Sequence, residues 1–399
     1  MQKRKRSSDA DTSLHANEKR SKVEQSSSDL MQLLDVTLLS DSASISCRFD
    51  EIANLLLREF ELVVKSSHKV EKEHFYKILE LEFYLWKTGC HEDPFTHGSE
   101  EQRLSGQWYF HRVPRNTNNS TQNLTLSAGY RGGSRKGLDL TFGGPAPSVT
   151  SSYFQSETPA NSQVSPTNSL RGGILLRSIQ RAKDEKVISG PSLLVDELLS
   201  VTKASSIADL VDNQWNGNIF CFKESDGASS SLTLRPKSSQ SSNSPTIYRS
   251  PRIGLDLSNQ SISLTTPPHP RVVFVAKQYR YFTNPNMLTA NGRHQSFLGV
   301  LCSIFPFPIT DVDGQTKKRL STITGIREAT VQTYLDHFIS GYKTSGKVTS
   351  TASGLLSSFI GAAGKGVSSN PARYLKMMGH LIRMDESSET SDQRSLSLS

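Results

Sequence analysis

Apolar residues recur at helical spacing in some stretches and at strand spacing in others, and they thin out in long polar runs between. In "DEIANLLLREFELVVK", Ile52, Leu55, Leu56 and Phe60 fall three to four residues apart before alternation takes over. That predicts a helix running into a strand, with Asp50 as N-cap. "FYKILELEFYL" alternates throughout: Ile78 shares a face with Glu80 and Glu82, while Leu79, Leu81 and Phe83 point the other way. An apolar strand is predicted over 173–179 in "GGILLRSIQRA". In "SGPSLLVDELLSV", Pro191 suits the first turn of a helix whose inward stripe is Leu194, Val195, Leu198 and Leu199. "SPRIGLDL" and "PRVVFVAKQYRYF" read as two further strands. After Phe282 helical spacing prevails: Val331, Tyr334, Leu335, Phe338 and Ile339 share one face, and Asn370 caps a second helix before Pro371.

The polar runs predict disorder over residues 1–29, insertions over about 145–170 and 224–246, and a disordered tail over 385–399. Between them lie an ordered stretch over 30–283 and a helical C-terminal extension over 284–384. The hydrophobic fraction of 35% fits a folded core diluted by such segments. A net charge of +8 suits a polyanionic partner. The basic clusters at 3–6 and 18–22, separated by a polar spacer, look like a two-part nuclear import signal. Cys47, Cys90, Cys221 and Cys302 show no CxxC spacing, which argues for a reducing compartment and against a zinc set. No apolar run approaches membrane-spanning length, and the amino terminus has no signal-peptide character.

Several chemistries drop out on spacing. "GAAGKGVSS" places Phe359 where a phosphate loop needs its first glycine, and Gly366 where it needs a hydroxyl after Lys365. There is no G-x-S-x-G elbow and no HxxxH or HxH pair. His91 with Asp93, or His97 with Glu100, offers at most part of a ligand set. What stands out is the density of unusual residues from Glu80 to Arg177. Glu80, Glu82 and Tyr84 share a strand face, followed by His91, Asp93 and His97, then Trp108, Tyr109, His111 and Arg112. Aromatics beside a carboxylate suit a flat heterocycle, with the carboxylate working on water. "YRGGSRKGLDLTFGG" adds Arg131, Arg135 and Lys136, donors suited to phosphates.

The order of "EIANLLLREFELVV", "ELEFY", "GGILLRSIQ", "ISGPSLLVDELL", "SPRIGLDL" and "YRYF" from about residue 50 to 283 resembles the alkyladenine (3-methyladenine) DNA glycosylases of the mammalian and plant type. The resemblance implies an α+β fold: a single mixed domain with a curved antiparallel sheet and surrounding helices. It implies a metal-free, cofactor-free enzyme acting on double-stranded DNA in the nucleus, as a monomer. Glu82 aligns with the family's water-activating base, Tyr84 with the aromatic that stacks on the flipped base, His97 with its pocket histidine and Arg177 with its strand arginine. Trp108 or Tyr109 would lie opposite the base, and His111 or His97 would protonate a neutral leaving group. Tyr130 is the wedge candidate, and Asp139 stands for the asparagine beside the base. Glu80 keeps the reading of a wet-face residue.

The expected function is DNA-repair N-glycosylase activity on an alkylated purine. Alternatives are a nucleic-acid-binding protein that lost the reaction, and a nucleoside-type N-glycoside hydrolase. Strand nicking by a Schiff base at Lys136 is a further chemistry to weigh.

Overall fold

The computed structural model describes residues 24–66, 71–113, 129–147, 169–237, 244–259, 261–262, 268–288, 291–305, 309, 312–345 and 356–396. The basic clusters at 3–6 and 18–22 and most of the 145–170 insertion lie outside them. The fold is α+β, with antiparallel strands. The chain divides into two units, Met1–Ile78 with Gly98–Ser244, and Leu79–His97 with Pro245–Ser399.

In the first unit, helix α1 covers residues 24–34, so order begins earlier than the sequence suggested, with Leu30 and Leu34 fully buried. Helix α2 is Ser42–Asn54. Its cap is Asp41, whose extended backbone lets the carboxylate accept from the Ser44 N–H at 2.8 Å, and Asp50 lies inside the helix instead of capping it. A π-turn, Leu55–Glu59, then widens the helix and releases the chain into β1, Phe60–Ser66. Phe60 is therefore the first residue of a strand.

Strand β2, Lys72–Lys87, pairs its first half with β1, Glu61 facing Lys77. The other edge of β1 pairs with β8, Ser230–Pro236. This strand lies within the stretch expected to be a disordered insertion. Its serines hid an alternation that buries Leu232 and Leu234. Strands β4 (Trp108–Phe110), β5 (Leu138–Thr141), β6 (Leu170–Arg181) and β7 (Val187–Ser189) complete this unit, in the order β4-β5-β6-β2-β1-β8 with β7 on β6. Helix α3, Pro191–Thr202, packs on β6 and β1 with Leu194, Val195 and Leu198 buried, and Gly190 at φ 115° turns the chain into it. Leu199, placed on the same stripe by spacing, is only half-buried.

In the second unit, β2 continues from Leu79. It pairs with β3, His91–Glu92, and with β10, Arg280–Phe282, which also pairs with β9, Tyr248–Ser250. Both strands predicted here come out otherwise. In "SPRIGLDL" only the serine is in a strand, because Pro251 has no N–H to give a ladder. In "PRVVFVAKQYRYF", Pro270 opens helix α4, Pro270–Val275, capped by the His269 side chain on the Arg271 N–H, and only Arg280–Phe282 is strand.

Four helices follow: α5 (Arg293–Ile304), α6 (Gly314–Thr324), α7 (Glu328–Ser345) and α8 (Pro371–Leu396). Asn370 caps α8 by accepting from the Arg373 N–H. Val331, Leu335 and Phe338 are buried, and α7 packs along α8 where Gly341 meets the Lys376 carbonyl and Gly379 meets the Phe338 carbonyl. Two boundaries move. The C-terminal helices share a unit with Leu79–His97 instead of forming a separate extension, and α8 runs to Leu396 through most of the expected tail. Among the described residues no helix is long and apolar enough to cross a membrane.

Candidate functional site

Alternation on β2 leaves Glu80 and Glu82 on a polar face, yet Glu80 is 3% exposed and Glu82 is 0% exposed. A buried carboxylate survives only with fixed partners, and each has them. Arg280 donates from Nε to Glu80 Oε1 at 2.6 Å, and its other nitrogens donate to the hydroxyls of Ser250 and Ser296. Glu80 is thus an ion-paired core residue, which corrects its reading as a wet-face side chain.

Glu82 is held differently, without a cation bonded to it. Oε1 accepts from the backbone N–H of Ile253 at 2.7 Å, and Oε2 accepts from the Tyr84 hydroxyl at 2.8 Å. Tyr84 is half-buried, so its hydroxyl links a sealed carboxylate to a partly open ring. Glu82 and Tyr84 are brought together as the sequence suggested.

Behind Tyr84 stands Arg252, a residue that pattern reading missed because it sat in a presumed strand. Its guanidinium lies 4.5 Å from the Tyr84 ring centroid, with the Phe95 and Tyr279 rings at 5.5 and 5.6 Å. It donates to both oxygens of Asp93 and to the Phe83 carbonyl, and neither Arg252 nor Asp93 is exposed. The only hint in the sequence was an arginine among apolar residues in "SPRIGLDL". His91 borders this group. Its Nδ1 must donate to the Leu85 carbonyl, which can only accept, so Nε2 accepts from the Tyr279 hydroxyl. Burial pushes the His91 pKa down and keeps the imidazole neutral, so it acts as a spacer in the network and not as a cation. His97, on the loop beyond, is half-buried.

The first unit holds the other candidates. The His111 Nε2–H donates to Asp139 Oδ1 at 2.8 Å, and the Gln102 amide donates to Asp139 Oδ2 at 3.2 Å. Gly137 makes room for this imidazole, since a Cβ there would lie 2.5 Å from its Cε1. The Tyr109 ring lies 6.1 Å from the His111 ring, and its hydroxyl pairs with that of Ser99 at 2.6 Å. Tyr109, His111 and Asp139 therefore do cluster. Trp108 does not join them as a stacking wall: it is buried in the core with its indole N–H donating to the Leu232 carbonyl.

Tyr130 lies under the Arg112 guanidinium, 3.8 Å from its ring centroid, and bridges to Arg112 through the backbone. A wedge role would require that clamp to open. Arg177 is buried on β6, its carbonyl accepting from the Gly190 N–H. Arg131 and Arg135 line a shallow depression with Val113 and Gly132. Lys136 is different, because its ammonium is ion-paired with Asp196. That pairing removes it as a free phosphate contact and as a Schiff-base amine.

No family model matches the chain. It is similar to an uncharacterized protein of Acanthamoeba polyphaga mimivirus, at 28% identity over 234 residues that cover 57% of this chain and 86% of the viral protein.

Proposed function

We propose that the protein is a DNA-repair N-glycosylase that hydrolyses the N-glycosidic bond of an alkylated purine, with Glu82 as general base. The observation that carries this reading is the Glu82–Tyr84 pair: a buried carboxylate fixed by one backbone N–H and bonded to the hydroxyl of a half-open aromatic. In this reading the purine stacks on Tyr84. Glu82 takes a proton from water as the water oxygen bonds to the sugar C1′, and the C1′–N bond breaks with its electron pair leaving on the base. A cationic alkylpurine leaves as a neutral base and needs no proton. Arg252 would repel the positive charge growing on the sugar, but Asp93 neutralises it. Arg131 and Arg135 supply phosphate contacts. The basic clusters at 3–6 and 18–22 support a nuclear location.

The test is mass spectrometry of free bases released from alkylated, deaminated and undamaged DNA and RNA, with the wild type beside Glu82→Gln. Release from alkylated duplex by the wild type and its loss in Glu82→Gln, with binding retained, is the expected result. Full release by Glu82→Gln overturns the assignment.

One observation favours a second reading, binding to nucleic acid without chemistry: both Glu82 oxygens are already engaged and the side chain is sealed. A wild type that binds duplex and releases no base from any of these substrates selects that reading.

A further inference from the structure

Two fully buried side chains of the C-terminal helices carry polar atoms with no hydrogen-bonding partner: Gln295 of α5, at both Nε2 and Oε1, and Tyr374 of α8, at its hydroxyl. They belong to one neighbourhood. His294, the residue before Gln295, meets the Tyr374 ring edge-on at 4.9 Å. Ser296, the residue after it, accepts from Arg280, which faces Glu82 across the β10–β2 ladder.

Gly292 ties the cluster to the carboxylate. A Cβ there would collide with the Ile253 side chain and lie 3.6 Å from Gln295 Oε1. The N–H of that same Ile253 fixes Glu82. Burial pushes the Tyr374 hydroxyl pKa up, and the charges of Arg280 and Glu82 both act on it.

Buried polar atoms are almost always paired, and each one left unpaired is costly. An amide and a phenol hydroxyl converging beside a carboxylate present the mixed donors and acceptors that a single water molecule satisfies with two to four bonds. Neither side chain bears a charge, so the cluster suits a neutral ligand of this size better than an ion.

We infer that Gln295 and Tyr374 seat the water that Glu82 deprotonates, so that helices α5 and α8 complete the reaction centre. This inference rests on the hydrolytic reading of Glu82. It gives the C-terminal helices a chemical role in addition to their packing role.

The test uses full-length Gln295→Leu and Tyr374→Phe, which keep the approximate volume of each side chain and remove its unpaired atoms. The readouts are melting temperature, affinity for alkylated duplex, and single-turnover base release. A seated water predicts release slowed roughly tenfold or more in each variant, about the worth of one well-placed hydrogen bond. It also predicts affinity within about twofold of wild type and a lowered melting temperature, since the water and the surviving partner lose a bond. Wild-type release together with a raised melting temperature in both variants overturns the inference, because removing atoms that were merely unpaired stabilises a core. If the wild type itself releases no base, the reading of the reaction fails on its own. The melting temperatures then decide the water seat alone: a rise in both variants overturns it and a fall sustains it.

Discussion

Arg252 and Asp93 are joined by two hydrogen bonds, of 2.5 and 3.2 Å, with neither side chain exposed to solvent. The pair sits directly behind Tyr84, so it fixes the aromatic that Glu82 holds through its hydroxyl.

Asp93→Asn leaves the guanidinium charge buried and uncompensated. The expected loss is about 3–5 kcal/mol in urea unfolding, the usual cost of removing one partner of a buried pair. The double replacement Arg252→Met with Asp93→Leu, which removes both charges, should regain most of it. A loss below about 1 kcal/mol for Asp93→Asn would show that solvent reaches the pair.

Stability should fall on mild acidification. Burial pushes the His294 pKa down from 6.5 to about 4, a displacement that the His294 Nε2–H bond to the Ser368 carbonyl opposes and the nearby Arg280 charge reinforces. Unfolded His294 binds a proton near 6.5, whereas the folded form does so only near 4. Unfolding therefore takes up a proton between those values, and the contribution is complete above pH 6.5 and lost as pH drops towards 4. The gap corresponds to about 3 kcal/mol. His294→Phe should flatten the measured stability–pH curve across this window, and an unchanged slope would exclude His294 as its source.

Arg135 and Lys136 are neighbours in sequence with opposite expectations. Arg135 lines an open depression, and Lys136 is committed to Asp196. Arg135→Ala should weaken duplex binding and lower the salt slope by about 1, while Lys136→Ala should leave that slope near its wild-type value. Binding isotherms at several salt concentrations separate the two, and equal effects would contradict the ion-pair assignment.

Gly341→Ala and Gly379→Ala should each destabilise despite alanine's better helix propensity. The new methyl at Gly341 meets the Lys376 carbonyl, and that at Gly379 meets the Phe338 carbonyl, both backbone atoms that cannot turn aside. Overpacking of this kind costs roughly 1–3 kcal/mol, readable as a lowered melting temperature. Unchanged or raised melting temperatures would mean that α7 and α8 separate at little cost.

Much of this was legible from spacing, and the misses have identifiable physical causes. Alternation placed Glu82 and Tyr84 on one face of β2, where they now share a hydrogen bond. It could not reveal that Glu80 is buried as well, because the side chain that covers it, Arg280, lies 200 residues away. Serine content hid the strand carrying Leu232 and Leu234, although its alternation was present. The β-branched run in "PRVVFV" suggested a strand, but Pro270 and the His269 cap commit it to a helix. Charge pattern alone could not separate Lys136 from Arg135, since Asp196 approaches through tertiary structure. Gln295 and Tyr374 lay on helical stripes that looked purely structural.

The long reach of these contacts bears on how the chain is made. The strand bearing Glu80, Glu82 and Asp93 leaves the ribosome early, but the groups that hold them lie 200, 171 and 159 residues downstream. Three acidic side chains that end in a sealed interior must stay solvated through most of synthesis. The second unit can therefore close only after Arg280 has emerged, in a late step that brings distant segments together slowly. A nascent chain halted before Pro245 would expose the second half of β2 as an unpaired, mostly apolar edge, and in the cell that stretch is where a chaperone would be needed.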